Sequence, residues 1–351
     1  MDEILTRFVD FSSKLTYRDL PSTVVSASKD RLLDSLGCAI SAHQSKAARI
    51  GRLLASPAAS KTIGGRILGS KKVVAADAAA FATTCMIRDL DLNDEYPGGH
   101  PSDCLGALLA VAPTIGASGE QLVTAVVVSY EIIISILRCV PLRDIGWDQS
   151  IAISIGSAAG LANLLRLDHD VVRHAIAITT VANTALRATR AGQLSMWKGA
   201  ATAYAVRNAV FGVQLASAGM TGPEAPFTGR HGIVEMISGP LKLPPLGGSV
   251  SDYRIPDVYT KYWPVAYSLQ ALVWAGVELR KQVSPDQLSS VEVHTYAFSM
   301  SESGSEPAKW DPRTRETADH SIPYVLARSL LHGTINHEAF VPESYLDPSI
   351  R

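Results

Sequence analysis

The feature that most constrains this chain is a succession of alanine-rich apolar segments near residues 74–90, 103–117, 119–139, 150–165, 169–188 and 193–218. From Thr23 to about Leu279 the dominant spacing is helical, and Val25, Leu32, Leu36 and Ile40 recur so as to line one helix face. Many of these helices are apolar on more than one face, so they are expected to lie inside a multi-helix bundle. Composition agrees. Hydrophobic residues make up 47% but aromatics only 7%, so the apolar content is aliphatic side chains and alanine. That suits packed helices better than a β-sandwich. Charged residues are 19%, which excludes a disordered, charge-driven protein. A chain of 351 residues has room for two or three domains of roughly 100–200 residues each.

Lys plus Arg is 32 and Asp plus Glu 33, a formal charge of −1, so no global basic field for nucleic acid exists and any anion site must be local. Cys38, Cys85, Cys104 and Cys139 are widely separated and form no CxxC pair, which predicts buried thiols in a reducing compartment. The opening MDEILTRFVDF lacks the basic and long apolar regions of a signal peptide. The most apolar stretch, Leu122 to Leu137, is interrupted by Glu131 and falls short of the roughly 20 residues of a membrane span. A cytoplasmic protein with neither nucleic-acid nor membrane partner is expected.

Around residue 240 the texture changes. GPLKLPPLGGSVSDYRIPDVYTKYWP reads as an irregular connection, followed by a helix from Val265 to Lys281. Val291, Val293, Thr295 and Ala297 then alternate with Glu292, His294 and Tyr296, which predicts a half-buried strand. Another helix is expected after Asp319–His320–Ser321–Ile322–Pro323, since proline is tolerated in a first turn. The expected fold is mainly α: a helical domain over 1–265 and a smaller, partial α+β domain over 266–351.

The densest polar constellation is RDLDLNDEYPGGHPSD, residues 88–103, where Asp89, Asp91, Asp94, Glu95, His100 and Asp103 crowd between two apolar helices. Such a set could ligate a divalent metal, or form a catalytic loop in which Asp91 or His100 moves protons. It could equally be an exposed loop of solvated acids with Asp103 capping the next helix. Asp148 opens a later helix, where an N-cap is the commoner role than an active-site acid. Lys198 lies inside a small-residue helix; it either snorkels to the surface or, if buried, becomes a fixed cation for a carboxylate. His320 and Tyr324 sit near a helix start, where the phenol could donate to a leaving oxygen or simply pack. Lys261, in KYWP, faces an anion or the surface. No Walker sequence, GxSxG elbow or dinucleotide fingerprint is present.

Five segments in order resemble the 2-methylcitrate dehydratase (MmgE/PrpD) family, which includes cis-aconitate decarboxylase and iminodisuccinate epimerase. They are DLNDEYPGGHPSDCLGALLAVA (91–112), VSYEIIISILR (128–138), MWKGAATAYAVRNAV (196–210), AGMTGPEAPFTGRHG (218–232) and ETADHSIPYVLARSLL (316–331). The resemblance implies a large helical domain, a smaller α+β lid, a homodimer, and a metal-free, cofactor-free lyase or isomerase acting on small di- or tricarboxylates in the cleft between the domains. Carried over by position, Asp91, His100, Lys198 and Tyr324 would be catalytic, with Glu95, Asp148, Lys261 and His320 binding substrate. Asp148 stands where decarboxylase members carry a histidine, and KYWPVAYS lacks a histidine they place after the proline. Both departures weaken the decarboxylase reading and leave dehydration or another proton-transfer reaction ahead. Family members also continue for about a hundred residues more, a length typical of a small domain, so the resemblance implies a truncated lid.

The expected reaction is loss of water from a 2-methylcitrate-like hydroxy acid after proton removal beside a carboxylate. That creates an enediolate which fixed cations must meet. The alternatives are an isomerase or epimerase acting on iminodisuccinate or a similar dicarboxylate, and a non-catalytic dimerising fragment.

Overall fold

The computed structural model describes residues 2–59 and 62–350, which divide into two compact units. The first comprises residues up to Asp89, Asn93–Arg187 and Gly199–Thr260. Its helices are α1 (Glu3–Lys14), α2 (Ser22–Ser41), α3 (Lys46–Leu54), α4 (Ala76–Arg88), α5 (Leu105–Ile115), α6 (Gly119–Cys139), α7 (Ser150–Leu164), α8 (His169–Ala182) and most of α9 (Trp197–Ser217). One short antiparallel hairpin, β1 (Gly64–Arg66) with β2 (Val73–Ala75), pairs Gly65 with Val74. The fold is mainly α, and the apolar segments read from the sequence form the helices.

The centre of this unit is the pair α6 and α7, buried almost all round. Every residue of α6 from Val123 to Leu137 is buried, Glu131 included. By length and composition α6 could cross a membrane, yet 83% of its most apolar window is buried inside the protein. Close approach of the two helices depends on absent side chains. A Cβ on Gly160 would stand 1.9 Å from Ser129 Oγ and 2.7 Å from the Ala125 carbonyl oxygen. Gly156 meets the Ser129 carbonyl in the same way, at 2.7 Å.

Helix α2 forms where the spacing predicts, but it buries a different face. Val24, Ser28, Ser35, Cys38 and Ala39 point inward, whereas Ile40 is 73% exposed and Leu33 72%. Small residues let α2 lie close to its neighbours, and Ser28 Oγ donates to the Val24 carbonyl, so its hydroxyl is buried without an unmet bond.

The second unit comprises Leu90–Leu92, Ala188–Lys198 and the chain from Lys261 onward. Its helices are α10 (Gln270–Arg280), α11 (Ala297–Ser303), α12 (Pro307–Trp310), α13 (Arg315–Ala318), α14 (Ile322–His332) and α15 (Pro342–Tyr345). Its core gathers Trp263, Val265, Leu269, Val273, Ala318, Tyr324, Val325 and Phe340. Helices α10 and α14 touch through Gly276, where a Cβ would meet Ser329 Cβ at 2.6 Å.

No strand occurs in this unit among the described residues, which corrects the α+β expectation for 291–297. Alternation there is real, but a strand needs a neighbour for its backbone groups and a face to bury. Val291, His294 and Tyr296 are all exposed, and at Ala297 the chain enters α11 instead.

Two outcomes follow from the α6 core. Gly160→Ala is expected to destabilise by about 1–3 kcal/mol through overpacking, although alanine favours helix over glycine by about 1 kcal/mol. An unchanged or raised melting temperature would contradict the close packing. Glu131 accepts from the backbone N–H of Arg254 (2.5 Å) and Ile255 (3.3 Å), and burial pushes its carboxyl from 4.5 up to about 7. A folded value above the unfolded one means that its contribution is complete below pH 4.5 and is lost as pH rises through 7. The loss is up to about 3 kcal/mol at about 1.4 kcal/mol per unit. Glu131→Gln should flatten that fall in denaturant titrations run across the pH range.

Candidate active site

The second unit brings together five charged or titratable groups: Asp91, Lys198, Lys261, Asp319 and His320. Lys198 is the second residue of α9, and its backbone N–H donates to the Ser195 carbonyl (2.9 Å). The segment before it is fastened to the 306–317 stretch. Gly192 N–H donates to Glu306 Oε2 (3.0 Å), Gln193 Nε2 to the Asp311 carbonyl (2.7 Å) and Leu194 N–H to Thr317 Oγ1 (2.8 Å). Thr314 Oγ1 returns a bond to the Leu194 carbonyl (2.6 Å). This ladder places Lys198 opposite Asp319, and Lys198 Nζ donates to both carboxylate oxygens, at 2.9 and 3.1 Å.

Asp319 is anchored in turn, since its carbonyl accepts from Ala266 N–H (3.0 Å). That contact draws in the Lys261 segment, whose turn is shaped by the Gln270 side chain. Gln270 Oε1 accepts from Tyr262 and Trp263 N–H, and Gln270 Nε2 donates to the Trp263 carbonyl. Lys261, fully buried at its side chain, donates to the Asp91 carbonyl (2.7 Å) and lies 3.3 Å from Asp91 Oδ1. Asp91 adopts a left-handed backbone (φ 49°), which aspartate tolerates better than most residues. Its Oδ2 is 3.6 Å from Lys198 Nζ and 3.7 Å from His320 Nε2.

His320 Nδ1 is 2.5 Å from Asp319 Oδ1. A contact that short needs a hydrogen between the atoms, so the proton belongs on Nδ1 and Nε2 carries the lone pair. Lys198 Nζ, 3.2 Å from Nδ1, is then a second donor to the shared Asp319 oxygen and not a partner of the ring. Burial, and then the Lys198 ammonium, hold His320 below the ordinary value of 6.5 against the pull of Asp319 and Asp91. Burial pushes the Asp319 carboxyl up, but Lys198 and His320 outweigh it and leave it below the usual carboxylate range. The result is a neutral imidazole oriented by a carboxylate, with Lys198 beside it and Lys261 held against the neighbouring Asp91. Such a group is suited to take a proton from carbon, with fixed cations for the charge that develops.

Asp91, Asp319 and His320 have ligand atoms within 4.8 Å of one another and could in principle hold a metal. Lys198 and Lys261 already neutralise the two carboxylates, so a divalent ion there would have to displace an ammonium.

Of the other expected site residues, Tyr324 stands apart within the second unit and three belong to the first. Tyr324 is in the core of the second unit, where its hydroxyl donates to the Ala339 carbonyl and its ring packs beside Phe340. Burial raises the phenol to about 12. Its proton is committed to the backbone, and the structure does not bring it to the cluster.

His100, Glu95 and Asp148 belong to the first unit. His100 Nδ1 faces the Asp94 carbonyl (2.7 Å) and Glu95 Oε2 (3.0 Å), and His100 N–H donates to Gln149 Oε1 (2.6 Å). Asp94 is fully buried, accepts from Ser102 N–H (3.0 Å) and the Tyr130 hydroxyl (2.8 Å), and is raised by burial. Asp103 accepts from Asn93 Nδ2 (3.0 Å), so these two acids build the loop instead of facing solvent. Asp148 accepts from Ser150 N–H (3.0 Å) and Oγ (2.5 Å) ahead of α7, an N-terminal structural role.

Sequence reasoning passed over Asp319. Its signal was adjacency: an aspartate beside a histidine immediately before a helix start.

A buried Lys–Asp–His cluster of this kind has the groups that acid–base chemistry needs, and comparison with known proteins names the family. The chain belongs to the MmgE/PrpD family, whose N-terminal domain matches residues 6–245 and whose C-terminal domain matches 263–351. It is 26% identical to the 2-methylcitrate dehydratase of Cupriavidus necator over 99% of this chain and 75% of that protein. It is 27% identical to the 2-methylcitrate dehydratase of Escherichia coli K12 over 87% of this chain and 66% of that protein. With a fungal alkylcitrate dehydratase the identity is 28%, over 91% and 66%. The chain is thus a member of a family that contains dehydratases, enzymes of the lyase class.

The electrostatics of the cluster can be read directly. His320 should titrate below 6.5 in an NMR pH series, and Lys198→Met should move its midpoint upward by removing a like charge. Because the folded value lies below the unfolded one, the stability tied to the neutral ring is complete above 6.5 and lost as pH falls beneath it. A wild-type midpoint at or above 6.5 would refute the assignment.

Proposed function

We propose that this protein is a hydro-lyase that removes water from a small hydroxy di- or tricarboxylate of the 2-methylcitrate type. The observation that carries the reading is the neutral, carboxylate-oriented His320 beside Lys198, with Lys261 held by the same Asp91 that faces the ring. Names of relatives over most of the chain support the same class.

In this reading His320 Nε2 takes the proton from the carbon beside a substrate carboxylate. The C–H electron pair moves into that carboxylate as an enediolate, and Lys198 and Lys261 offset its second negative charge. The pair then forms the alkene as the C–O bond breaks, and the hydroxyl leaves as water with a proton from a flanking ammonium. Asp319 holds the ring and stabilises the imidazolium formed at the first step, and Asp91 sets the spacing of the two lysines. This reading gives Lys198, Lys261, His320 and Asp91 roles in the site, moves His320 from the expected substrate-binding role to that of base, and gives Tyr324 none.

The test is incubation with 2-methylcitrate while following the ultraviolet absorbance of the conjugated alkene. His320→Ala is expected to lower turnover by about 10²–10⁴-fold, and Lys198→Ala by about 10²–10³-fold, with circular dichroism checking the fold. Tyr324→Phe should retain activity. Proton exchange into the substrate without alkene would point to an isomerase, and wild-type turnover in folded His320→Ala would end this assignment.

A further inference from the structure

The segment that carries Lys198 and the segment that carries Asp319 and His320 are joined at one buried point. Leu194, 2% exposed, anchors the first, and Thr317, fully buried, anchors the second. Leu194 N–H donates to Thr317 Oγ1 (2.8 Å), the hydroxyls of Thr317 and Thr314 are 2.8 Å apart, and Thr314 Oγ1 donates to the Leu194 carbonyl (2.6 Å). Thr314 Oγ1 also accepts from Thr317 N–H (3.2 Å) as the cap of α13.

Counting donors fixes the direction of each bond. A carbonyl only accepts, so the single Thr314 hydroxyl proton is committed to Leu194, and the Thr317 proton makes the contact between the two hydroxyls. The bonds then run head to tail from Leu194 N–H through Thr317 and Thr314 back to the Leu194 carbonyl, a closed ring of three. Each bond in such a chain polarises the next, so the three hold more strongly together than apart. The neighbouring rung is different. Gln193, which donates to the Asp311 carbonyl and accepts from Arg313 N–H, is exposed, so water can replace its bonds. At Leu194 no water substitutes, and a lost hydroxyl leaves a buried N–H unmet.

Thr317 also holds the other side of the cluster. Its carbonyl accepts from His320 N–H (3.1 Å), three residues on, while Lys198 N–H closes the turn that follows Leu194 by donating to the Ser195 carbonyl (2.9 Å). One residue thus fixes the backbone of the histidine through its carbonyl and the approach of the lysine through its hydroxyl.

We infer that Thr317 is a positioning residue whose hydroxyl, by closing this ring, sets the Lys198 ammonium against Asp319 beside the His320 imidazole. Its effect on turnover rests on the reading of His320 as the base, whereas its effect on the ring's own titration does not. That second effect has a definite sign. The Lys198 ammonium opposes protonation of His320, and the Asp319 and Asp91 carboxylates favour it. If Lys198 draws back, the opposing charge weakens and Asp319 is less neutralised, so both changes move the His320 midpoint upward.

The experiment compares Thr317→Val, which keeps the shape and deletes the hydroxyl, with Thr317→Ser, which keeps the hydroxyl. In NMR pH titrations the His320 midpoint should rise in Thr317→Val and stay at the wild-type value in Thr317→Ser. With 2-methylcitrate, kcat should fall by up to about 10²-fold in Thr317→Val, more than KM rises, and return in Thr317→Ser. A hydroxyl that serves stability alone would lower the melting temperature of Thr317→Val and leave the midpoint in place. A wild-type midpoint in folded Thr317→Val therefore overturns the inference whatever turnover does, and so does an equal shift in both variants. A rise confined to Thr317→Val sustains it even if no alkene is ever formed. Should Thr317→Val fail to fold, Thr314→Val opens the same ring at its half-buried member and carries the same expectation. In wild type the Leu194 amide should be strongly protected from hydrogen exchange, and exchange at the rate of an exposed amide overturns the inference without any variant.

Discussion

The contact on which the second unit depends is the buried pair of Lys198 and Asp319. Two ions taken out of water lose several kcal/mol of hydration each, and mutual attraction restores it only when geometry is good and other bonds complete the shells. Here the shells are well filled. Asp319 receives Lys198 on both oxygens and the His320 ring on one. The backbone ladder between 192–194 and 306–317 keeps the pair aligned without calling on the charges themselves. Losing one partner would strand the other, a cost of about 3–5 kcal/mol. Such a pair is poor as a stabiliser compared with apolar packing, so its presence in a chain so rich in alanine and leucine reads as a functional investment.

Legibility in the sequence divides along one line: local periodicity shows, and distant pairing does not. Helices α6 and α7 are plain because apolar residues on every face leave no alternative to burial, and their ends carry stop and start signals such as Ser118, which accepts from Gln121 N–H. The buried face of α2 was not legible. Leu33 and Ile40 are better hydrophobes than Ser28 and Ser35, but a small face permits closer approach, and packing chose closeness. Alternation at 291–297 could not reveal that no neighbouring strand exists to complete it.

At the site the same line holds. Lys198 stands out because a lysine amid alanines is unusual, and His320 because it precedes a capped helix. Their connection through Asp319 spans 121 residues and leaves no local trace. Tyr324 looked eligible because its type suits acid catalysis and it lies near His320 in sequence. In a helix, however, four residues advance the chain by a full turn. His320 stays outside α14 with the charges, while Tyr324 enters it and turns its phenol to the Ala339 carbonyl. Sequence proximity predicted one site; helix geometry made two environments.

That geometry also bears on why the imidazole is neutral. His320 sits at the N-terminal side of α14, where unsatisfied N–H groups present partial positive charge and disfavour a protonated ring. Burial and Lys198 act in the same direction. Against them Asp319 acts through its charge and then through one hydrogen bond, which also orients the ring. The balance keeps Nε2 unprotonated at neutral pH without removing the carboxylate that would steady an imidazolium once formed. A base with no such partner would stay neutral but gain little on protonation, and one with a stronger partner and no lysine would already hold its proton. The arrangement of one carboxylate shared between a lysine and a histidine lies between those limits, which is what a proton abstractor working at neutral pH requires.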